Sequence, residues 1–279
     1  MKVIVGVTTT KARLDLFFYS FQSLRRQSLS SFRIVVSLSR EPYLFDEGID
    51  AVPDWMAGEN VQVDFVQNSG PYRKLLPQIA RMDDDDMLVT ADDDIIYSEH
   101  WLKRLVSSAQ ENPDCIVCCR ARNVMKNLLG RYQNYSHWDV CLTPQRGPNL
   151  LPTCGAGAVF RKRLLDLRFL SDEAYLKIAP TADDIWYRIA SLRTRTDVFV
   201  DPDIDKENGY IRHFVGLERV NLYQLTQGLA SRRRLLLRLA NRFRNYFGIS
   251  SSGNDRAWKR SLEYSRALGS DVSRDKQVL

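Results

Sequence analysis

The chain has 279 residues, of which 44% are hydrophobic and 27% charged, with a formal net charge of +6. That balance fits one large globular domain with an appendage and excludes a chain dominated by disorder; internal repeats and low-complexity tracts are absent. The charge is unevenly spread, since residues 210–279 hold 14 Lys and Arg against 5 Asp and Glu, a balance of +9, while the preceding residues hold 26 against 29.

The opening MKVIVGVTTT has only a short apolar run after Lys2, too short for a secretory signal or a spanning helix, and no other run approaches membrane length. With five cysteines, an odd number without such a signal, a disulfide framework is not expected and the cytoplasm is the expected home. KVIVGVT reads as a first strand, Leu14, Phe17, Phe18, Phe21 and Leu24 recur at helical spacing, and FRIVVSLS reads as a second strand. After a polar insert with Pro42 and Pro53, VQVDFVQ is a third strand and RKLLPQIARM is expected to be a helix with Pro77 near its start. MLVTA is a fourth strand. Ser98 is placed to cap a helix from Glu99, with Trp101, Leu102, Leu105, Val106 and Ala109 as its apolar face and Asn112-Pro113 as its end. CIVCC is a fifth strand. Its Cys115, Cys118 and Cys119 make a C-x-x-C, but no second pair has zinc-ligand spacing, and the β-branched setting reads as buried strand thiols. This alternation predicts an α/β fold with a mostly parallel central sheet flanked by helices. A boundary near 215–225 then separates a domain of residues 1–215 from a basic helical extension, 216–279.

Within MDDDDMLVTADDDIIY an acidic block stands at each end of the fourth strand. In open α/β sheets ligands bind beyond the carboxyl ends of the strands. Asp83, Asp84, Asp85 and Asp86 precede the strand and read as a solvated turn. Asp92, Asp93 and Asp94 follow it at the ligand edge. On an extended backbone Asp92 and Asp94 project to one side, roughly 6.6–7 Å apart, so both can reach one hydrated divalent ion. The competing reading is an acidic turn that favours the dipole of the next helix. Lys74, in the loop after the third strand, is placed to face an anion, or else is a solvated lysine; Arg73 is a weaker substitute. In TADDIWYRIASL, Ile185, Trp186, Ile189, Ala190 and Leu192 fall at helical spacing with Asp183 and Asp184 in the first turn. A carboxylate there suits a general base, while Thr181 and Asp184 alternatively approximate a capping box. Gly155 and Gly157 form a turn in LPTCGAGAVF, without the third glycine of a dinucleotide fingerprint.

Taken in order, FQSLRRQSL, MLVTADDDIIY and TADDIWYRIA resemble the GT-A-fold glycosyltransferases of the family 2 type, particularly bacterial polysaccharide transferases, over residues 3–214. The resemblance implies a metal-dependent, inverting transfer of a sugar from a nucleoside diphosphate to a saccharide hydroxyl, in cell-surface polysaccharide synthesis. It implies that Asp92 and Asp94 carry Mn²⁺ or Mg²⁺ on the diphosphate of a nucleotide sugar, usually UDP-linked. Thr8 and Thr9 then border the nucleotide, with Lys74, Asp92 and Asp93 on the donor side. Asp184 aligns with the usual base, and Asp183 is the fallback that orients the acceptor. Gly155 and Gly157 supply a close backbone floor beneath sugar and acceptor, and His213 a late metal ligand. The second strand departs from the pattern: many members carry an aspartate there for the nucleotide base, where this chain reads SLSREPY, with Ser37, Ser39 and Glu41 as partial substitutes.

Laid out at about 100° per residue, SRRRLLLRLANRFRNYF gathers Leu235, Leu236, Leu239, Ala240, Phe243, Tyr246 and Phe247 on one face and Arg233, Arg234, Arg238, Arg242 and Arg244 on the other. A helix over 231–247 of this kind can lie on an anionic membrane surface, which suits a lipid-linked saccharide acceptor and a peripheral position at the inner face, or can pack on the catalytic domain. No nucleic-acid motif accompanies the charge, and no nucleic-acid partner is expected. Two other classes compete. A metal-dependent phosphohydrolase with a two-metal site needs more carboxylates or histidines than this chain, with three histidines, supplies. A catalytically inert nucleotide-sugar or saccharide-binding protein would be indifferent to replacement of Asp92, Asp94 or Asp184. The glycine-rich opening of a sugar-1-phosphate nucleotidyltransferase is absent, TTTKARLD standing in its place.

Overall fold

The computed structural model describes residues 1–212, 245–249 and 252–269. In chain order the elements are β1 (Val3–Val7), α1 (Leu14–Arg25), β2 (Arg33–Leu38), β3 (Val61–Phe65), α2 (Leu76–Ile79), β4 (Met87–Thr90), β5 (Ile95–Ile96), α3 (Trp101–Glu111) and β6 (Cys115–Cys118). There follow β7 (Ala121–Asn123), β8 (Gln145–Gly147), β9 (Leu150–Pro152), β10 (Ala158–Phe160), α4 (Leu167–Leu170), α5 (Tyr175–Ile178), α6 (Asp183–Arg193), β11 (Asp197–Val200), β12 (Gly209–Tyr210) and α7 (Gly253–Ala267). Among the described residues one sheet runs in the order β3-β2-β1-β4-β10-β6-β11-β8. Strands β3, β2, β1 and β4 are mutually parallel, as are β6 and β11. β10 is antiparallel to both its neighbours, and β8 is antiparallel to β11 at the edge. The sheet is thus mostly parallel, with one reversed strand at its centre.

Successive strand residues point to opposite faces, and the sheet divides its apolar side chains accordingly. Val89, Val117 and Val159 join Phe17, Phe21 and Leu24 of α1 and Trp101, Leu102 and Leu105 of α3 in one layer. Leu88, Ile116 and Phe160 join Ile185, Trp186 and Ile189 of α6 and Trp258 and Leu262 of α7 in the other. α7 opens with a capping box, in which the Asp255 N–H donates to Ser252 Oγ at 3.1 Å and the Ser252 N–H to Asp255 Oδ2 at 2.9 Å. Its Trp258 meets Trp138 edge-on at 4.9 Å. Gly253–Ala267 is therefore packed on the helical layer that carries Asp183 and Asp184. The boundary expected near 215–225, His213 and nearly all of the helix expected over 231–247 lie outside the described residues. No helix among the described residues is long and apolar enough to cross a membrane.

Three local expectations are corrected. RKLLPQIARM is a 3₁₀ stretch, Gly70–Lys74, followed by a single turn of α-helix, because Pro77 lacks an N–H and its ring conflicts with a helical carbonyl four residues back. Ser98 does not cap α3: its Oγ is buried without a hydrogen bond. The Leu102 N–H instead donates to Gln27 Oε1 at 2.8 Å, so the helix is capped from just beyond α1. The Thr181–Asp184 capping box does not form either, since α6 begins after Ala182 with no side-chain cap. The acidic turn before β4 is solvated as expected at Asp83, Asp84 and Asp85, but Asp86 is buried and accepts the Lys2 N–H at 2.6 Å. All five cysteines are free and buried, as the strand reading of CIVCC requires.

Candidate active site

β4 ends at Thr90, and the chain carries Asp92, Asp93 and Asp94 over the carboxyl edge of the parallel strands. The loop is fixed by its backbone: the Asp92 N–H donates to Tyr97 Oη at 2.7 Å, Tyr97 Oη donates to the Gly155 carbonyl at 2.7 Å, and Ser20 Oγ donates to the Asp92 carbonyl at 2.9 Å. A turn at Asp93–Asp94 then gives the three carboxylates different burial. Asp93 points inward, is buried, and accepts from Thr9 Oγ1 at 2.7 Å and from Arg13 at 2.8 Å. Burial pushes its pKa up to about 6, opposed by Arg13 and assisted by Asp94. Asp92 and Asp94 stay partly exposed, their side chains 37% and 28% accessible, Asp94 on the same Arg13 nitrogen at 2.6 Å.

Lys74 joins this loop to α6. Its Nζ lies 2.7 Å from Asp92 Oδ1 and 3.2 Å from Asp183 Oδ2, on a side chain only 5% exposed. Burial alone would lower the Lys74 pKa, but Asp183 and Asp92 outweigh it and hold the ammonium well above its ordinary value. The backbone is drawn in as well: a Cβ built at Gly6 would land on the Lys74 carbonyl, so the 3₁₀ turn approaches β1 only because residue 6 is glycine. Asp183 is buried, and burial raises its pKa despite Lys74. Asp184, half-buried at the start of α6, is pushed up to about 7 by burial and by the neighbouring Asp183, with Lys74 opposing.

The reversed strand completes the site. Because β10 runs antiparallel to β4, pairing Ala158 with Thr90, the turn before it sits at the carboxyl edge of β4. A Cβ built at Gly155 would fall on the Asp92 carboxylate. Gly157, at φ +117°, instead backs onto the Trp101 indole, 2.7 Å from where its Cβ would stand, so it packs against the core.

The structure thus gathers Lys74, Asp92, Asp183 and Gly155, with Asp184 next to Asp183, and sets Thr9 beneath them, acting through Asp93. Thr8 ties β1 to β2 through the Ser37 carbonyl at 2.7 Å. Arg73 is buried against Asp46 at 2.9 Å and the Thr9 carbonyl at 3.2 Å, a support for the end of β1. Sequence reasoning missed Arg13, which reaches both Asp93 and Asp94, at 2.8 and 2.6 Å, and missed Tyr97 and Asp46. Arg13 lies in a 3₁₀ turn, Lys11–Arg13, whose direction no periodicity announces; Tyr97 follows two strand-like isoleucines and reads as core.

No group of three His, Cys, Asp or Glu suited to a metal occurs among the described residues. Mg²⁺ and similar hard ions are held by one or two carboxylates together with substrate phosphates and water, so the partly exposed carboxylates of Asp92 and Asp94 fit that chemistry. Two concavities of about 460 and 440 Å³ lie away from these carboxylates, one around Lys2 and Asp86 and one around Pro77 and Tyr175.

The glycosyl transferase family 2 model matches residues 7–169. The chain belongs to glycosyl transferase family 2. It has the GT-A fold of that family, and the matched stretch carries Thr8, Thr9, Lys74, Asp92, Asp93, Asp94, Gly155 and Gly157 while ending before Asp183. No curated protein matches the chain. Among solved structures it is similar to S. aureus TarS 1–349, at 19% identity and TM-score 0.47, covering 73% of this chain and 58% of that one. It is also similar to S. aureus TarS, at 18%, 0.44, 73% and 35%, and to TarS 1–349 in complex with UDP, at 17%, 0.44, 73% and 58%. The chain spans less than two thirds of each of these structures.

Proposed function

We propose that this glycosyltransferase moves a sugar from a nucleoside diphosphate, with UDP as the nucleotide, to a saccharide hydroxyl with inversion, in the synthesis of a cell-surface polysaccharide. Residues 1–215 would carry the chemistry on the cytoplasmic side, with 216–279 as a basic extension. The observation that carries this reading is the Lys74 ammonium, 2.7 Å from Asp92 and 3.2 Å from Asp183, which brings the donor-side loop and the acceptor-side helix to one point.

The chemistry follows from charge and protonation. Asp184 takes the proton of the acceptor hydroxyl onto a carboxylate oxygen as that hydroxyl attacks the anomeric carbon. The bond from that carbon to the diphosphate oxygen breaks on the opposite face, the electron pair leaving with the diphosphate, so a single displacement inverts the configuration. A pKa near 7 suits the role, because a general base works best when its affinity for the proton matches the working pH. Asp183 orients the acceptor. Lys74, desolvated and cationic, turns toward the charge that develops on the leaving diphosphate, where a buried cation is worth far more than in water. Mn²⁺ or Mg²⁺ held by Asp92 and Asp94 would supply Lewis-acid stabilisation of that same charge.

The test is a panel of nucleotide sugars incubated with Mn²⁺ or with EDTA, scored by nucleotide release and by thermal shift. Release from a UDP-sugar, increased by a saccharide acceptor and lost in EDTA, is the expected result. No response to any nucleotide with metal present would remove the reading.

A further inference from the structure

Between β7 and the Tyr135–His137 turn the chain forms a short hairpin whose tip is apolar and bare. Leu128 is 96% exposed and Leu129 68%, with Met125 also exposed on the same hairpin. The tip is held firmly in that pose. The Gly130 N–H donates to the Asn127 carbonyl at 2.9 Å, and the Asn127 N–H to the Arg131 carbonyl at 2.8 Å. Asn127 Oδ1 accepts from the backbone of both Leu129 and Arg131, at 2.9 and 3.0 Å, while Gly130 takes φ +73°. Two leucines at the apex of a side-chain-braced turn are presented to whatever lies outside.

The surroundings of the tip are cationic. Lys126 and Arg131 flank it, and Arg266 of α7 is close enough to help lower the Lys126 pKa, after burial. Asn127 Nδ2 donates to the Tyr246 carbonyl at 3.0 Å and the Asn134 N–H to the Asn245 carbonyl at 2.9 Å. The hairpin is therefore stapled to the chain where it emerges from SRRRLLLRLANRFR, a stretch with six arginines. Ile249, also exposed, joins the same contact through its carbonyl. Farther along, the same segment reaches Tyr135, whose hydroxyl burial and the Asp184 charge push upward, so the end of this segment away from the tip lies within reach of the charge of the proposed base.

We infer that the Leu128–Leu129 tip is a membrane-insertion element that seats the enzyme on an anionic phospholipid surface. Apolar side chains enter the acyl boundary while the basic ring meets the headgroups, the two-signal combination that peripheral attachment requires. Only the consequence for the acceptor, which would be lipid-linked and delivered along this loop toward Asp184, rests on the function proposed above.

The experiment is sedimentation of the full chain with vesicles of pure phosphatidylcholine and with vesicles containing 30% phosphatidylglycerol, at low and high salt. Wild type should partition onto the anionic vesicles at least tenfold more strongly, and salt should weaken the binding. Leu128→Ser with Leu129→Ser should lower partitioning at least tenfold while leaving the melting temperature and nucleotide release with a soluble acceptor unchanged. Leu128→Trp should show a blue-shifted emission on anionic vesicles alone. Equal partitioning of wild type and double variant would overturn the inference. So would a concentration-dependent dimer, abolished by the double variant and formed without lipid, because the tip would then meet a second copy. Failure here with nucleotide release intact removes the membrane element and leaves the transferase reading standing.

Discussion

Replacing Asp184 by asparagine should inactivate the enzyme and stabilise it, and both effects come from one local cause. Burial and the adjacent Asp183 lift the Asp184 pKa to about 7 from an ordinary 3.8. Each unit of such a shift is about 1.4 kcal/mol, so a fully expressed shift of about three units would strain the folded state by about 4 kcal/mol once the carboxylate is ionised. The side chain keeps contact with water, and the strain is shared with Asp183 and Lys74, so about 1–2 kcal/mol is the expected remainder. A raised folded pKa means that the native state binds the proton more tightly than the unfolded chain. The strain is absent below about pH 4, grows between pH 4 and 7, and stays constant above. Asp184→Asn removes the ionisable group and keeps the volume. Its melting temperature should equal that of wild type at pH 4 and exceed it by about 2–6 °C at pH 8, while turnover falls about 10²- to 10⁴-fold. Differential scanning fluorimetry across pH, with initial rates on the same samples, measures both. Wild-type kcat/KM should itself rise with pH to a plateau with its midpoint near 7. A variant that is inactive but less stable at pH 8 would show that Asp184 is a structural anchor, and a variant that retains turnover would remove it as the base.

Lys74→Met strands the buried Asp183 carboxylate; it should cost about 3 kcal/mol of stability and weaken nucleotide binding at least tenfold by calorimetry, and unchanged affinity would detach Lys74 from the donor. The two glycines should separate. Gly155→Ala drives a methyl onto Asp92 and should depress turnover more than tenfold with little change in melting temperature, whereas Gly157→Ala, at φ +117° against Trp101, should mainly destabilise, by about 1–3 kcal/mol. Equal effects at both positions would contradict the placement of Gly155. Asp94→Asn should raise the Mn²⁺ concentration needed for half-maximal activity about tenfold, and EDTA should abolish wild-type turnover; activity indifferent to EDTA would remove the metal from the scheme.

What the sequence disclosed and what it concealed divide along a physical line. Elements held by their own periodicity were readable: the alternating strands β1 to β4 and β6, and the apolar stripes of α1 and α3, whose Phe17, Phe21 and Leu24, and Trp101, Leu102 and Leu105, are buried where the spacing placed them. So was the edge at which Asp92, Asp93 and Asp94 stand, because the polarity of parallel strands fixes where loops converge. What required through-space knowledge was not readable. The cap of α3 comes from Gln27, 75 residues from Leu102, and Arg13 finds Asp94 across 81 residues.

The least legible feature is also the one on which the site depends. Ala158–Phe160 is a three-residue strand with no periodicity of its own, and nothing in it declares direction. Laid parallel to β4, it would put its carboxyl end, followed by Arg161 and Lys162, beside Asp92. Reversed, it sends those cations to the far edge, where Arg163 meets Asp85 of the solvated acidic turn at 2.9 Å, and it leads into the ligand edge with Cys154, Gly155, Ala156 and Gly157. Small residues there leave the Lys74 ammonium room to meet both Asp92 and Asp183, so the direction of one short strand separates this carboxylate-rich site from one filled by its own cationic side chains.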